Sequence, residues 1–141
     1  MYTLVNPFNV EEHWPRVAPW LTLALGPYET WIDLSFIKEK AKAGFAQIWI
    51  GHKPQSSEID LVLITESMTI DEKSTLVVRW AAGKDMDEWF GDLGLLEAWA
   101  KANGFYKIQV WGRRGWERKL RPLGYTHEFS VVGRLLDRGV H

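Results

Sequence analysis

The chain has 141 residues, 46% of them hydrophobic and 25% charged, with a formal net charge of −1. That is the profile of one globular domain, long enough to bury roughly two-thirds of its unfolded surface around a core. It contains no cysteine, which excludes disulfides, thiolate metal sites and cysteine nucleophiles, and no apolar run approaches the roughly 18 residues of a membrane span.

The opening MYTLVNPFNVEEHW lacks the basic leader and long apolar centre of a signal peptide, so a cytoplasmic or intracellular protein is expected. Tyr2 to Val5 is a short strand candidate ended by Asn6-Pro7. Asn9 with Glu12 has the spacing of a capping box for a helix along Val10, Trp14, Val17, Leu21 and Leu25. Pro15 and Pro19 each remove a backbone donor from it, so the helix is expected to start at Pro15 or to bend. Asp33 caps a second helix with Leu34, Ile37 and Ala41 on one face, and Gly44 supplies its left-handed stop.

Three β-rich runs follow, Phe45 to His52, Glu58 to Thr65 and Ser74 to Ala81, separated by polar turns and read as an antiparallel meander. Met86, Trp89, Phe90, Leu93, Leu96 and Ala100 then share a face of a long central helix from Asp85 to Asn103. Tyr106 to Trp111 returns as a strand, Trp116 to Leu123 as a short helix stopped at Gly124, and His127 to Leu136 as a last strand. The order β-α-α-β-β-β-α-β-α-β predicts an α/β (α+β) domain over residues 1–141. Its sheet is mixed and mostly antiparallel, and parallel where the central helix crosses over.

Nine tryptophans are too many for one small core, so an exposed aromatic contact surface, for a protein partner or a second copy, is expected as well. The four histidines show no metal-ligand spacing and no metal is expected. Residues 1–100 carry 8 Lys/Arg against 15 Asp/Glu, whereas residues 101–141 carry 9 against 3. The basic end is concentrated in WGRRGWERKLR, where Arg113, Arg114, Arg118, Lys119 and Arg121 alternate with tryptophans. A nucleic-acid surface would use that pattern, and so would the solvated face of an amphipathic helix. A pI near 6.4 argues against general nucleic-acid binding.

The passage LLEAWAKANGFYKIQVWGRRGWERKLRPLGY, from a central helix through a strand to a helix ending in Gly124-Tyr125, resembles the GNAT family of acetyl-CoA-dependent N-acetyltransferases. Topology extends the resemblance to nearly the whole chain, motif only to residues 74–136. It is also similar to the small GNAT-like proteins of tailed bacteriophages, of the podovirus internal virion protein A type. The resemblance implies a sheet of six to seven strands flanked by about four helices. It implies acetyl-CoA in a cleft between splayed parallel strands, against the backbone of Ser74–Ala81. Cofactor contacts would then fall on Val78, Arg79, Gly83, Lys84, Asp85 and Met86, with the pyrophosphate on the amino end of the central helix. At that place the chain reads AAGKDMDE, with one glycine where the family pattern has two. Asp85 with Glu88 reads as a capping box that satisfies the donors a phosphate would use. The family's thiolate-protonating tyrosine falls on Leu120. Glu66, placed past the end of the third strand, and His52, at the end of the second, are the candidate general bases. Two readings stand: a transferase with an atypical cofactor loop, and a non-catalytic GNAT-fold protein, phage-encoded and virion-associated, that works through protein contacts.

Overall fold

In a computed structural model the described residues are 2–25, 32–84, 86–112, 114–134 and 136, with the side chains of Met86 and Arg114 outside the description. Strand β1 (Tyr2–Leu4) leads through a 3-10 turn (Pro7–Asn9) into α1 (Val10–Leu25), followed by α2 (Leu34–Ala43). The meander is β2 (Ala46–Gly51), β3 (Leu61–Ile70) and β4 (Lys73–Gly83). Then come α3 (Met86–Gly91), α4 (Leu93–Ala102), β5 (Lys107–Val110), α5 (Arg114–Leu120) and a 3-10 turn (Arg121–Leu123).

The sheet order is β1-β2-β3-β4-β5, antiparallel up to β4 and parallel between β4 and β5. The mixed, mostly antiparallel architecture is the expected one. The strand count is five rather than six to seven among the described residues, because Thr126–Arg134 carry the alternation of a strand without its hydrogen bonds. Among the described residues helices of α type number five rather than about four, because the expected central helix is broken. Asp92 sits at φ −95°, ψ 4°, and its N–H bonds back to the Trp89 carbonyl, a three-residue turn between α3 and α4. Gly91 and Asp92 are poor helix formers, so the break falls where continued helix gains least.

Helix α2 follows its sequence signals: the Asp33 carboxylate accepts from Ser35 N–H at 2.9 Å and Gly44 takes φ 86°. In α1 the expected Asn9–Glu12 box is replaced by Asn6, whose side chain accepts from Phe8 N–H to cap the 3-10 turn, and the helix runs through both prolines. Pairing of Ile70 with Lys73 leaves Asp71 and Glu72 as a two-residue hairpin loop, both at positive φ (49° and 66°), the twist that suits a hairpin.

Two cores flank the sheet. One holds Val17, Leu21, Ile37, Ile48, Ile50, Val62, Ile64 and Trp80 under α1 and α2. The other holds Trp49, Leu63, Val78, Trp89, Phe90, Leu93, Leu96 and Leu120 under α3, α4 and α5. Ile64 faces Trp80 and Thr65 faces Val78, so Arg79 is an extra residue, a β-bulge in β4. The bulge shifts the alternation by one, which is why Val78 and Trp80 enter opposite cores.

Candidate functional site

Strands β4 and β5 run together from Thr75 and Lys107 to Val78 and Val110, and Trp111 N–H donates to the Val78 carbonyl at 2.9 Å. There β5 stops, while β4 goes on past the Arg79 bulge to Gly83. The result is a wedge. The end of β4 leads toward α3, and the end of β5 leads through Gly112 toward α5.

The mouth of that wedge is crossed by side chains from both helices. Trp116 of α5 lies 5.5 Å from Trp89 and 5.8 Å from Phe90 of α3, ring centre to ring centre, and Trp89 and Phe90 meet edge to face at 4.5 Å. Lys119 of α5 pairs with Asp87 in the first turn of α3, its ammonium 6.0 Å from the Phe90 ring. Gly112 lies so close under the Trp116 indole that any side chain there would collide with it. Leu120, at the family's tyrosine position, is 5% exposed and belongs to this core. Trp89 Nε1 is buried here without a hydrogen-bond partner among the described residues, as is the Tyr125 hydroxyl. Burial, with the Glu97 carboxylate adding to it, holds the Tyr125 phenol well above its ordinary value.

The cofactor candidates are distributed as follows. Val78 is wholly buried and its carbonyl is bonded to Trp111. A Cβ on Gly83 would stand 2.8 Å from Leu61 Cδ1 and 3.0 Å from the Asp60 carbonyl oxygen, so the glycine admits the start of β3. Lys84 N–H donates to that same Asp60 oxygen at 2.9 Å. Asp85, and with it the capping box to Glu88, lies outside the described residues; Met86 opens α3. Asp87 and Glu88 are exposed acids in that first turn.

Glu66 lies inside β3, not past its end, because β3 extends five residues beyond the expected Thr65. It is 3% exposed on the α2 side of the sheet, where Lys40 Nζ donates to Oε2 at 2.8 Å and Arg79 Nη1 stands 3.7 Å away. The Arg79 guanidinium lies over the Trp80 ring at 4.4 Å and the Trp111 ring at 4.9 Å. Lys40, Glu66, Arg79 and Trp80, with Ile32, Asp33, Phe36 and Ile37, border a cleft of about 440 Å³. His52 follows the far end of β2, its Nε2 3.4 Å from Thr3 Oγ1 and its Nδ1 3.0 Å from the Lys53 carbonyl. Ala46 of β2 faces Glu66 and Gly51 precedes His52, so the two candidate bases are separated by the length of β2, roughly 20 Å.

Of the basic run, Lys119 pairs with Asp87 and Arg121 with Glu117 at 3.2 Å, Arg118 is exposed, and Arg113 and the Arg114 side chain lie outside the described residues. Sequence reasoning missed Lys40, Asp60, Trp80 and Trp111: Lys40, Asp60 and Trp111 meet Glu66, Lys84 and Arg79 across elements far apart in the chain, and Trp80 lies beneath the guanidinium of its own neighbour Arg79. Only the richness in tryptophan hinted at the last two. Among the described residues no group of three His, Asp or Glu could hold a metal, and no helix is long and apolar enough to cross a membrane.

No protein-family model and no curated protein matches the sequence. Solved structures do match in fold. A probable acetyltransferase superposes with a TM-score of 0.69 at 7% identity, covering 100% of this chain and 99% of that one. A predicted acetyltransferase with acetyl-CoA from Clostridium acetobutylicum gives 0.68 at 12%, covering 96% and 95%. An aminoglycoside acetyltransferase from an uncultured soil metagenomic sample, in complex with sisomicin, gives 0.67 at 11%, covering 99% and 96%. The fold is therefore that of the GNAT acetyltransferases, and at such identity the fold is what these likenesses carry.

Proposed function

We propose that this chain is a GNAT-fold relative of the acyl-CoA-dependent N-acetyltransferases whose coenzyme seat is filled by its own side chains, and that it works by binding a protein partner rather than by acyl transfer. The observation that carries the reading is the bridge of Trp116 and Lys119 to Trp89, Phe90 and Asp87 across the mouth of the β4–β5 wedge. The residues there do not fit a pyrophosphate. Lys84 N–H is committed to Asp60, Gly83 makes room for β3, and the acids of α3 repel a dianion from the place where it would rest. Leu120 offers no proton to a departing thiolate, and Glu66 is held between two cations on the α2 side of the sheet.

The resemblance to the small GNAT-like proteins of tailed bacteriophages extends the proposal to a virion-associated or host-cytoplasmic role. With Lys119 and Arg121 paired to acids and the described tryptophans other than Trp111 buried or half-buried in the two cores, exposed apolar side chains such as Phe129, Val131 and Val132 rather than the basic run are assigned to the partner, and that partner is a protein rather than a nucleic acid. The competing reading, an N-acetyltransferase using acetyl-CoA, is favoured by the parting of β4 from β5 and by the acetyl-CoA in the Clostridium acetobutylicum neighbour.

One titration decides between them. A ligand that binds only the folded state must raise the melting temperature. Millimolar acetyl-CoA is expected to leave it unchanged, with no heat by calorimetry. A saturable shift, together with release of free CoA in the presence of an amine, would establish the transferase instead.

A further inference from the structure

Arg79 is held more firmly than a strand residue needs to be. As the bulged residue of β4 it faces no partner on β3, and a bulge re-aims the side chain it carries. Its guanidinium lies over the Trp80 ring at 4.4 Å and the Trp111 ring at 4.9 Å, so two indoles fix its plane. Glu66 Oε2 stands 3.7 Å from Nη1, beyond hydrogen-bond distance, and among the described residues no group accepts a hydrogen bond from this guanidinium. The Arg79 side chain is 23% exposed, so solvent reaches only part of it. A shielded, oriented fork with unmet N–H donors suits a planar anion, which replaces loosely held water with two parallel charge-assisted bonds.

The fork lines the cleft between α2 and the β3–β4 pair, whose volume of about 440 Å³ falls at the small end of ligand sites. Its walls are apolar at Ile32, Phe36, Ile37 and Trp80. Its charges are Lys40 and Arg79 against Glu66 and Asp33, and both acids already have donors of their own. Lys40 Nζ donates to Glu66 at 2.8 Å, and Ser35 N–H donates to the exposed Asp33 at 2.9 Å. Arg79 is therefore the charge left with bonding capacity. An amine would bring a third cation beside Lys40 and Arg79, whereas a carboxylate meets the fork and leaves its apolar remainder against Phe36 and Trp80.

We propose that this cleft binds a carboxylate carried on an apolar body, with Arg79 as the bidentate donor and Phe36 and Trp80 against the body. A free aromatic or branched organic acid has that chemistry, and so has the carboxy-terminal residue of another chain when its side chain is apolar. The site needs neither acetyl-CoA nor the β4–β5 wedge. It goes beyond the partner reading above and does not rest on it.

The test is a nuclear magnetic resonance titration of the full, isotope-labelled chain with hydrocinnamate, read at the Arg79 Nε–H and the Trp80 and Trp111 indole N–H signals. Its amide, hydrocinnamamide, has the same shape without the charge and serves as the control. Saturable shifts are expected with the acid and none with the amide. Arg79→Lys keeps a cation opposite Glu66 but removes the fork, and raises the dissociation constant about tenfold, the loss of one charge-assisted bond. Phe36→Ser, at a side chain 64% exposed, leaves the fold unharmed and weakens hydrocinnamate while sparing acetate, which has no ring to place there. A short peptide ending in phenylalanine separates the two sources. Tighter binding of its free-acid form than of hydrocinnamate assigns the site to the end of a partner chain, and exclusion of the peptide while hydrocinnamate binds assigns it to a small acid. No saturable shift at millimolar hydrocinnamate, equal shifts with the amide, or undiminished binding by Arg79→Lys would overturn the proposal. Acetyl-CoA is titrated separately, so that this proposal and the one above fail independently.

Discussion

The two sides of β5 are built from similar residues and end in opposite states. On its inner side, where β4 departs, Trp89, Phe90 and Trp116 converge and Trp89 is 2% exposed. On its outer side Phe129, Val131 and Val132 stand in solvent beside an unpaired edge. Aromatic and branched residues close a gap only when rigid elements bring them in from two directions. Helices α3 and α5 do so at the wedge, and among the described residues no helix or strand does so beyond β5. The inner side is thereby packed, and the outer side is left exposed.

The sharpest way to break this contrast is Trp89→Ala. Removing a buried indole that packs on both Phe90 and Trp116 should cost about 3–5 kcal/mol in urea unfolding, through lost burial and the cavity left behind. A loss below about 1 kcal/mol would mean that the mouth of the wedge is loosely filled. A smaller effect is expected from Glu66→Gln. It keeps the volume but removes the anion that faces Lys40 and Arg79, whose guanidinium lies over Trp111 beside the wedge. About 2 kcal/mol of destabilisation is expected, since two partly shielded cations lose their counter-charge, and unchanged stability would show that water replaces it.

The smallest effect is confined to the outer side. The hydrogen bond from Lys107, joined by that from Gln109, holds the Glu128 carboxyl below its ordinary value of 4.5. A lowered folded-state pKa means the unfolded chain binds more protons, so the contribution of Glu128 is present above pH 4.5 and is lost as pH falls through the folded value. Urea midpoints of the native protein and Glu128→Gln should differ slightly at pH 7 and converge in acid. A gap that persists at low pH would mean that the carboxylate is not what anchors the segment.

Much of the scaffold could be read from local signals. Asp33 and Gly44 mark both ends of α2, and the meander shows in its β-branched runs, because caps and alternation act within a few residues. The break at Asp92 was hidden because Trp89, Phe90, Leu93, Leu96 and Ala100 keep one helical phase across it, masking the weak pair Gly91-Asp92. In the site, the misplaced glycine pattern and Leu120 were visible in the sequence. The engagement of Lys84 N–H by Asp60 was not, since it joins the residue after β4 to the residue before β3 at the sheet end. Nor was the fate of residues 127–136 visible. Alternation announces what a segment can pair as, but the pairing depends on which edge lies beside it.

The bulge at Arg79 is what lets Val78 and Trp80, two apart in the chain, serve different interiors. Ironing the bulge out with every residue kept, so that Arg79 faced Ile64, would turn the indole of Trp80 toward the α4 layer and the methyl of Ala81 toward α1. A large group and a small one would change places between two interiors, neither with space to spare. The strand would still hydrogen-bond to β3, yet neither layer could seat on it.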